Sequence, residues 1–323
     1  MQSKIFCVAY RNDGSGPSRG ANALSKGDEN IEVVYLFNKG RYLRLSTIWK
    51  ICRAKRVALI GFGLIPDLII LLFGGKNKKI SYLRGDITEN YLIDFKYFHR
   101  IAINAHLHII NRLDHVLYLT VANYDKLHSR IHTRSNILPN VVSVEEFRLS
   151  AEVRESRKSS IVVIGGLHER KRPLDAVHIV NQLIKSTGQP ITLQFFGDGP
   201  LKDKIIKTAN ELNVQCVMHG FVPDPYSLII KDDILLHCAV SEGASRTILE
   251  ALALGLYTVS SNWPGVTEII SHEITGFIYS NRDEAVRSLS DIISNRAFVS
   301  PQPLSHSSTF SVQQKLKEII TIC

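Results

Sequence analysis

The chain has 323 residues, 45% hydrophobic and 21% charged, enough for two domains with separate cores. This near-average composition excludes a disordered, collagen-like or disulfide-stapled protein. The net charge is +9, but residues 1–150 hold 22 Lys+Arg against 12 Asp+Glu while the rest hold 17 against 18, so the first half alone should face something anionic.

Met1–Tyr10 carries one lysine and a short apolar stretch, which is not the pattern of a secretory signal. Cys7, Cys52, Cys216, Cys238 and Cys323 are scattered without a CxxC pair. That fits a reducing compartment and speaks against structural zinc. Ile5–Ala9, Val33–Leu36, Val57–Ile60, Ile80–Leu83 and Val116–Leu119 are predicted strands, separated by helix-length segments. After the first comes the glycine-rich stretch Asp13–Gly20, which is not a phosphate-binding Walker loop because no Gly-Lys-Ser/Thr follows.

Lys39–Arg56 holds seven Lys/Arg and no acid, with Leu45, Ile48, Trp49 and Cys52 at helical spacing. Two readings stand: an interfacial helix drawn to anionic lipid, or an ordinary helix packing its apolar face on the sheet. No nucleic-acid recognition motif accompanies the charge. The longest apolar run, Val57–Phe73, contains Pro66 and Asp67. A spanning helix needs about 20 mostly apolar residues and tolerates a central Asp poorly. A strand, a turn and a short helix, all buried, are expected instead. Gly61-Phe62-Gly63 mimics a dinucleotide fingerprint, but Pro66 stands where the third glycine belongs. An oxidoreductase is set aside on that ground. His99, His106 and His108 fall in a helical stretch and read as structural or exposed.

The second half alternates more clearly. Ser160–Ile164, Ile191–Phe196, Val214–Met218, Asp233–Leu236, Tyr257–Ser260 and Phe277–Tyr279 are predicted strands. Helical patterns run over Pro173–Lys185, Leu201–Leu212, Thr247–Ala253 and Glu284–Ile293, and Val312–Ile320 closes the chain as a helix. Such alternation means parallel, doubly wound α/β sheets. The domains are placed at 1–148 and 149–305, with 306–323 crossing back to the first.

The sharpest feature is Ser241–Gly255, in which Glu242 and Glu250 bracket a small-residue turn and the first turns of a helix. Ser245 is the expected N-cap, so the backbone N–H groups near Gly243–Thr247 form an anion site suited to a diphosphate. Glu250 would accept from a diol such as a ribose. The plain alternative makes Glu242 a capping carboxylate and Glu250 a solvated surface charge. Arg170-Lys171-Arg172 likewise reads as a clamp or as a charged turn.

Residues 160–280 resemble the donor-binding domain of the family 4 glycosyltransferases. The resemblance rests on Val163-Ile164-Gly165-Gly166-Leu167 with Lys171, Phe196–Pro200, Val217–Val222, the Glu242/Glu250 pair, Gly265–Ile270 and Thr275-Gly276-Phe277, all in order. Upstream, Ile137–Asn140 and Phe147 resemble the family's crossover into its second domain. The resemblance implies a GT-B fold, two Rossmann-like domains facing across a cleft. It also implies a retaining, metal-independent transfer from a nucleotide-sugar, UDP-sugar favoured over GDP-sugar, with no further cofactor. Glu250 would hold the ribose and Glu242 the transferred sugar. Lys171, Arg170, Gly165, Gly166 and the Gly243–Thr247 segment, including Ala244, Ser245 and Arg246, would hold the diphosphate. His219 and Gly220 would line the base. Gly14, Gly16, Arg84 and Asp86 would lie on the acceptor side. Gly166 stands where the family usually has an arginine, and Arg170, Arg172 or Arg246 could supply that charge.

The implied acceptor is lipid-linked or a polysaccharide, in bacterial surface polysaccharide or lipopolysaccharide assembly. The implied place is the cytoplasmic side, peripheral on the inner face of the plasma membrane. A non-catalytic partner that keeps the fold and binds nucleotide-sugar is the alternative.

Overall fold

The computed structural model describes residues 4–12, 16–38, 42–95, 97–140, 159–294 and 309–322. The chain divides into two compact units, residues 1–142 with 307–323, and residues 143–306. The first unit runs β1 (Ile5–Arg11), α1 (Gly16–Ser25), β2 (Ile31–Phe37), α2 (Leu45–Arg53), β3 (Ala58–Gly61), α3 (Leu64–Phe73) and β4 (Lys78–Leu83). It continues with α4 (Ile87–Phe95), α5 (His99–Ile110), β5 (His115–Tyr118), α6 (Val121–Leu127) and β6 (Ser135–Ile137). The second runs β7 (Ile161–Ile164), α7 (Pro173–Thr187), β8 (Leu193–Phe196), α8 (Lys202–Glu211), β9 (Cys216–Gly220) and β10 (Ile234–His237). It ends with α9 (Arg246–Ala253), β11 (Tyr257–Ser261), β12 (Phe277–Tyr279) and α10 (Arg282–Ser294), and α11 (Thr309–Ile322) returns to the first unit.

Each unit is built on a six-stranded sheet, ordered β2-β1-β3-β4-β5-β6 and β12-β11-β10-β7-β8-β9. The strand pairs within both are parallel. Parallel strands covered by helices on both faces need apolar runs, which Ile5–Ala9 and Ile161–Val163 supply as fully buried segments. The short β6 lies next to β5 and was not among the expected strands, because three residues are too few to show a period. Helix α11 sits on the first unit. Val312 and Leu316 are buried, Gln313 Nε2 donates to the Leu24 and Lys26 carbonyls at 2.7 and 2.9 Å, and Lys317 pairs with Asp28.

The run 57–73 forms the expected strand, turn and helix, but it is not all buried. Helix α3 turns Asp67 and Ile70 inward and leaves Ile65, Leu68, Leu72 and Phe73 exposed. The reason is a buried polar network. The Asp67 carboxylate accepts from Ser81 Oγ at 2.6 Å and contacts His106 Nε2 at 2.8 Å, and His106 Nδ1 meets the Tyr91 hydroxyl at 2.7 Å. A Cβ at position 61 would lie 1.9 Å from Asp67 Oδ1, so the glycine there makes room for that carboxylate. Helix α2 is inverted in the same sense. Thr47 and Ile51 face inward while Leu45, Trp49 and Cys52 face solvent, which corrects the reading in which that apolar face packs on the sheet.

Candidate functional site

In the second unit the loops after β7, β8 and β10 converge. Gly165 adopts φ +136°, and the Lys171 ammonium lies over it, 3.8 Å from where a Cβ would stand. A Cβ on Gly197 would fall 1.9 Å from the Gly165 carbonyl oxygen, so two glycines allow these loops to touch. Leu167 N–H donates to the Asp198 carbonyl at 3.0 Å and Leu201 N–H to the Leu167 carbonyl at 3.1 Å. Backbone bonds thereby tie the start of the loop carrying Lys171 to the loop after β8.

Glu242 meets three basic groups. Lys171 Nζ is in direct contact with Oε1, Arg170 lies 3.4 Å away, and His237 Nε2 lies at 3.7 Å. Burial alone would raise the Glu242 carboxyl, but Lys171, His237 and Arg170 together outweigh it and hold the group well below the usual carboxylate range. It is therefore an anion with positive charge behind it. Arg170 also donates to the Ser241 carbonyl at 2.8 Å.

Ser245 is the N-cap of α9, with its Oγ accepting from the Ile248 N–H at 3.5 Å. Gly243 and Ala244 precede it, and the amides of Arg246 and Thr247 open the helix. Glu250 is only 6% exposed, so it is not a solvated surface charge. Its carboxylate contacts Arg246 at 3.3 Å and accepts from the Tyr226 hydroxyl at 3.2 Å. Tyr226 also reaches the Thr247 carbonyl at 3.2 Å. Arg170, Lys171 and Arg246 thus stand near the two glutamates, and Arg172 does not. Arg172 pairs with Asp175 at 3.9 Å and lines a cavity of about 590 Å³ between α7 and α10, whose walls include neither glutamate.

The residue facing Gly166 is His168, whose ring carbon would be 2.2 Å from a Cβ there. Burial, then Arg170 and Lys171, lower the His168 pKa, so the ring adds no charge at neutral pH. His219 is turned inward: it stacks on Phe196 at 4.2 Å and its Nε2 meets Gln194 Oε1 at 2.8 Å. Gly220 takes φ +71° and Phe221 is exposed, so the backbone and Phe221 present the rim of β9. Asp233 is wholly buried and accepts from Ser160 and Ile230 N–H at 2.7 and 3.0 Å, which makes it structural.

In the first unit, Gly16 opens α1, and Gly14 lies outside the described residues. Arg84 lies over the Tyr82 ring and against Gly20, and donates to Asn140 Oδ1 at 2.6 Å. Asp86 accepts from Thr88 N–H at 2.8 Å at the start of α4 and pairs with Lys126. Tyr226, His168 and His237 were not picked out from the sequence. Tyr226 and His237 lie in no motif and reach the site only through the fold, whereas His168 sits between Leu167 and Lys171 without being a motif position itself.

Two six-stranded parallel sheets flanked by helices define an α/β protein of the GT-B-like fold class, and two glutamates with clustered cations stand around one helix start of its second unit. Residues 145–305 match the family described as Glycosyl transferases group 1. An uncharacterized glycosyltransferase of Methanocaldococcus jannaschii is 25% identical over 283 residues, covering 77% of this chain and 69% of that protein. The phosphatidylinositol N-acetylglucosaminyltransferase gpi3 subunit of Schizosaccharomyces pombe is 25% identical over 169 residues, half of this chain and 36% of that protein. Anabaena HepE, solved in complex with UDP and glucose, superposes with a TM-score of 0.82 at 13% identity, covering 99% of this chain and all of the other. The likeness to group 1 glycosyltransferases is thus confined to residues 145–305 in the family model, while the GT-B-like fold extends over the whole chain.

Proposed function

We propose that this chain is a retaining family 4 glycosyltransferase that moves a sugar from a UDP-linked donor to a lipid-linked or polysaccharide acceptor. One observation carries the reading: Glu242, Glu250, Lys171, Arg170 and Arg246 gather around the capped start of α9. Breaking a sugar–phosphate bond places negative charge on the departing diphosphate, and fixed cations and helix-start amides stabilise it. Lys171, Arg170, Arg246 and the Thr247 amide take that part, and they supply the charge without a bound metal. Glu250 holds the ribose, steadied by Tyr226 and Arg246. Glu242 faces the transferred sugar as a fixed anion. Arg84 and the Gly16 end of α1 serve the acceptor side. HepE's complex with UDP and the lipid acceptor in the gpi3 subunit's name support the choice of donor and acceptor class.

The reading extends to a cytoplasmic membrane face, as in bacterial surface polysaccharide or lipopolysaccharide assembly. Helix α3 packs between α2 and α5. Their outer sides expose Leu45 (73%), Trp49 (59%), Leu68, Leu72 and Ile101. Arg53 stacks over Trp49 at 4.1 Å, and the one carboxylate on these three helices, Asp67, is buried. Apolar side chains ringed by cations suit peripheral docking on anionic lipid. Among the described residues no helix is long and apolar enough to cross a membrane.

The deciding experiment incubates the chain with UDP-glucose, UDP-galactose, UDP-N-acetylglucosamine and GDP-mannose and follows nucleotide release. Release of UDP from at least one donor, reduced in Glu242→Ala more than donor affinity is, supports transfer. Binding of UDP without release from any donor favours the non-catalytic binding partner.

A further inference from the structure

Behind Glu242 lies a polar chain that the donor contacts leave unexplained. His237, the last residue of β10, is buried, and its Nε2 stands 3.2 Å from Ser245 Oγ and 3.7 Å from Glu242 Oε1. Its Nδ1 lies 3.4 Å from Ser260 Oγ, which accepts the indole N–H of the fully buried Trp263 at 3.2 Å. The Ser260 oxygen is thus an acceptor toward Trp263, and its own proton is shared between His237 Nδ1 and the Ser261 carbonyl at 3.1 Å. The charged groups facing the imidazole are Glu242, Lys171 and Arg170, and burial keeps the ring neutral.

A neutral imidazole carries one N–H, and the neighbours decide which nitrogen holds it. Nε2 faces a carboxylate that can only accept, so a lone pair there would be repelled and the proton belongs on Nε2. Ser260 then donates to Nδ1. Glu242 Oε1 is buried with only ionic contacts, no donor of the described residues being aligned on it. Besides the Lys171 ammonium and the Arg170 guanidinium, the His237 N–H is a neighbour able to turn to it, and catalytic hydrogen bonds commonly tighten when substrate binds. The same N–H reaches Ser245, the cap of the helix on which the diphosphate is placed.

We propose that His237 is a positioning residue. As the Nε2–H tautomer set by Ser260 and Trp263, it holds the Glu242 carboxylate and the Ser245 cap in one arrangement. The kinetic consequence rests on the glycosyl-transfer reading, whereas the tautomer does not. Histidine-labelled chain examined by long-range proton–nitrogen NMR, with His237 assigned from its loss in His237→Gln, should show the Nε2–H form. Its Nε2 signal should move in Glu242→Gln. An Nδ1–H form, or an Nε2 signal blind to Glu242→Gln, overturns the proposal whether or not the chain turns over.

Kinetics on UDP-sugar hydrolysis give the second readout. Glutamine places an amide N–H near the Nε2 position and asparagine near Nδ1. His237→Gln should therefore keep kcat within a few fold, while His237→Asn loses roughly tenfold or more, the scale of one hydrogen bond to a charged group. KM for donor and the Kd of UDP should stay level in both. Equal kcat in the two variants, or a loss that follows UDP affinity or Tm, overturns the proposal. Wild-type chain that releases no UDP while showing the Nε2–H form refutes the transfer reading and leaves the positioning geometry supported.

Discussion

Replacing Glu250 with glutamine removes one negative charge and little else. The amide oxygen can still accept from Tyr226, now 3.2 Å from the carboxylate, while Arg246, 3.3 Å away and 14% exposed at its side chain, loses its counter-ion. A ribose hydroxyl bound to a carboxylate contributes about 1.5–3 kcal/mol, the range for hydrogen bonds to charged groups. At about 1.4 kcal/mol per tenfold, UDP should bind roughly 10- to 150-fold more weakly. The fold should lose about 1–3 kcal/mol with the loss of the Glu250 charge beside Arg246. Glu250→Ala goes further by taking the acceptor from Tyr226, although the Thr247 carbonyl at 3.2 Å still receives that hydroxyl. Isothermal titration of UDP into wild type and both variants, with thermal melts run in parallel, separates the two effects. If both variants melt lower yet bind UDP as wild type does, the carboxylate serves only Arg246 and Tyr226, and its place in donor binding is lost.

The Glu242 carboxyl lies below its ordinary value of 4.5 in the folded chain, so its contribution to stability is complete above that pH and is lost as pH falls toward the folded-state value. Glu242→Gln should accordingly lose less Tm than wild type on acidification from about pH 6 to about pH 3.5; equal losses would show that the cations do not stabilise this carboxylate. Gly197→Ala forces a Cβ to 1.9 Å from the Gly165 carbonyl and should cost roughly 1–3 kcal/mol of stability, as overpacking does, with an unchanged melt as the contrary result. Arg44, Arg53 and Lys55 changed together to Gln should weaken binding to anionic liposomes by about 3 kcal/mol at about 1 kcal/mol each. Lys50 is spared because it pairs with Glu32. Undiminished co-sedimentation would argue that the α2 face does not meet lipid.

The sequence by itself determined the local and the repetitive. Apolar runs of strand length followed by helical periods settle that both halves are doubly wound. The Ser245 cap and Pro173 at the first turn of α7 are visible because capping depends on a few consecutive residues. The two glutamates and Lys171 were legible as a motif, down to their order. Which charges meet is another matter. Lys171 and Arg170 reach Glu242 from a different loop, and Tyr226 reaches Glu250 from a turn with no periodic signal. Such pairs form only when strands far apart in the chain are laid side by side.

Tertiary structure also overturned one inference about an apolar face and decided between two readings of another. A helical period says that one side differs from the other, not which side the sheet receives. In α3 the sheet receives Asp67, because Ser81, His106 and the space left by Gly61 accommodate that carboxylate. In α2 it receives Thr47, whose hydroxyl donates to the Tyr35 carbonyl at 2.9 Å, and Ile51. The apolar residues left outside were readable in the sequence; their exposure follows from the partners that long-range packing placed within.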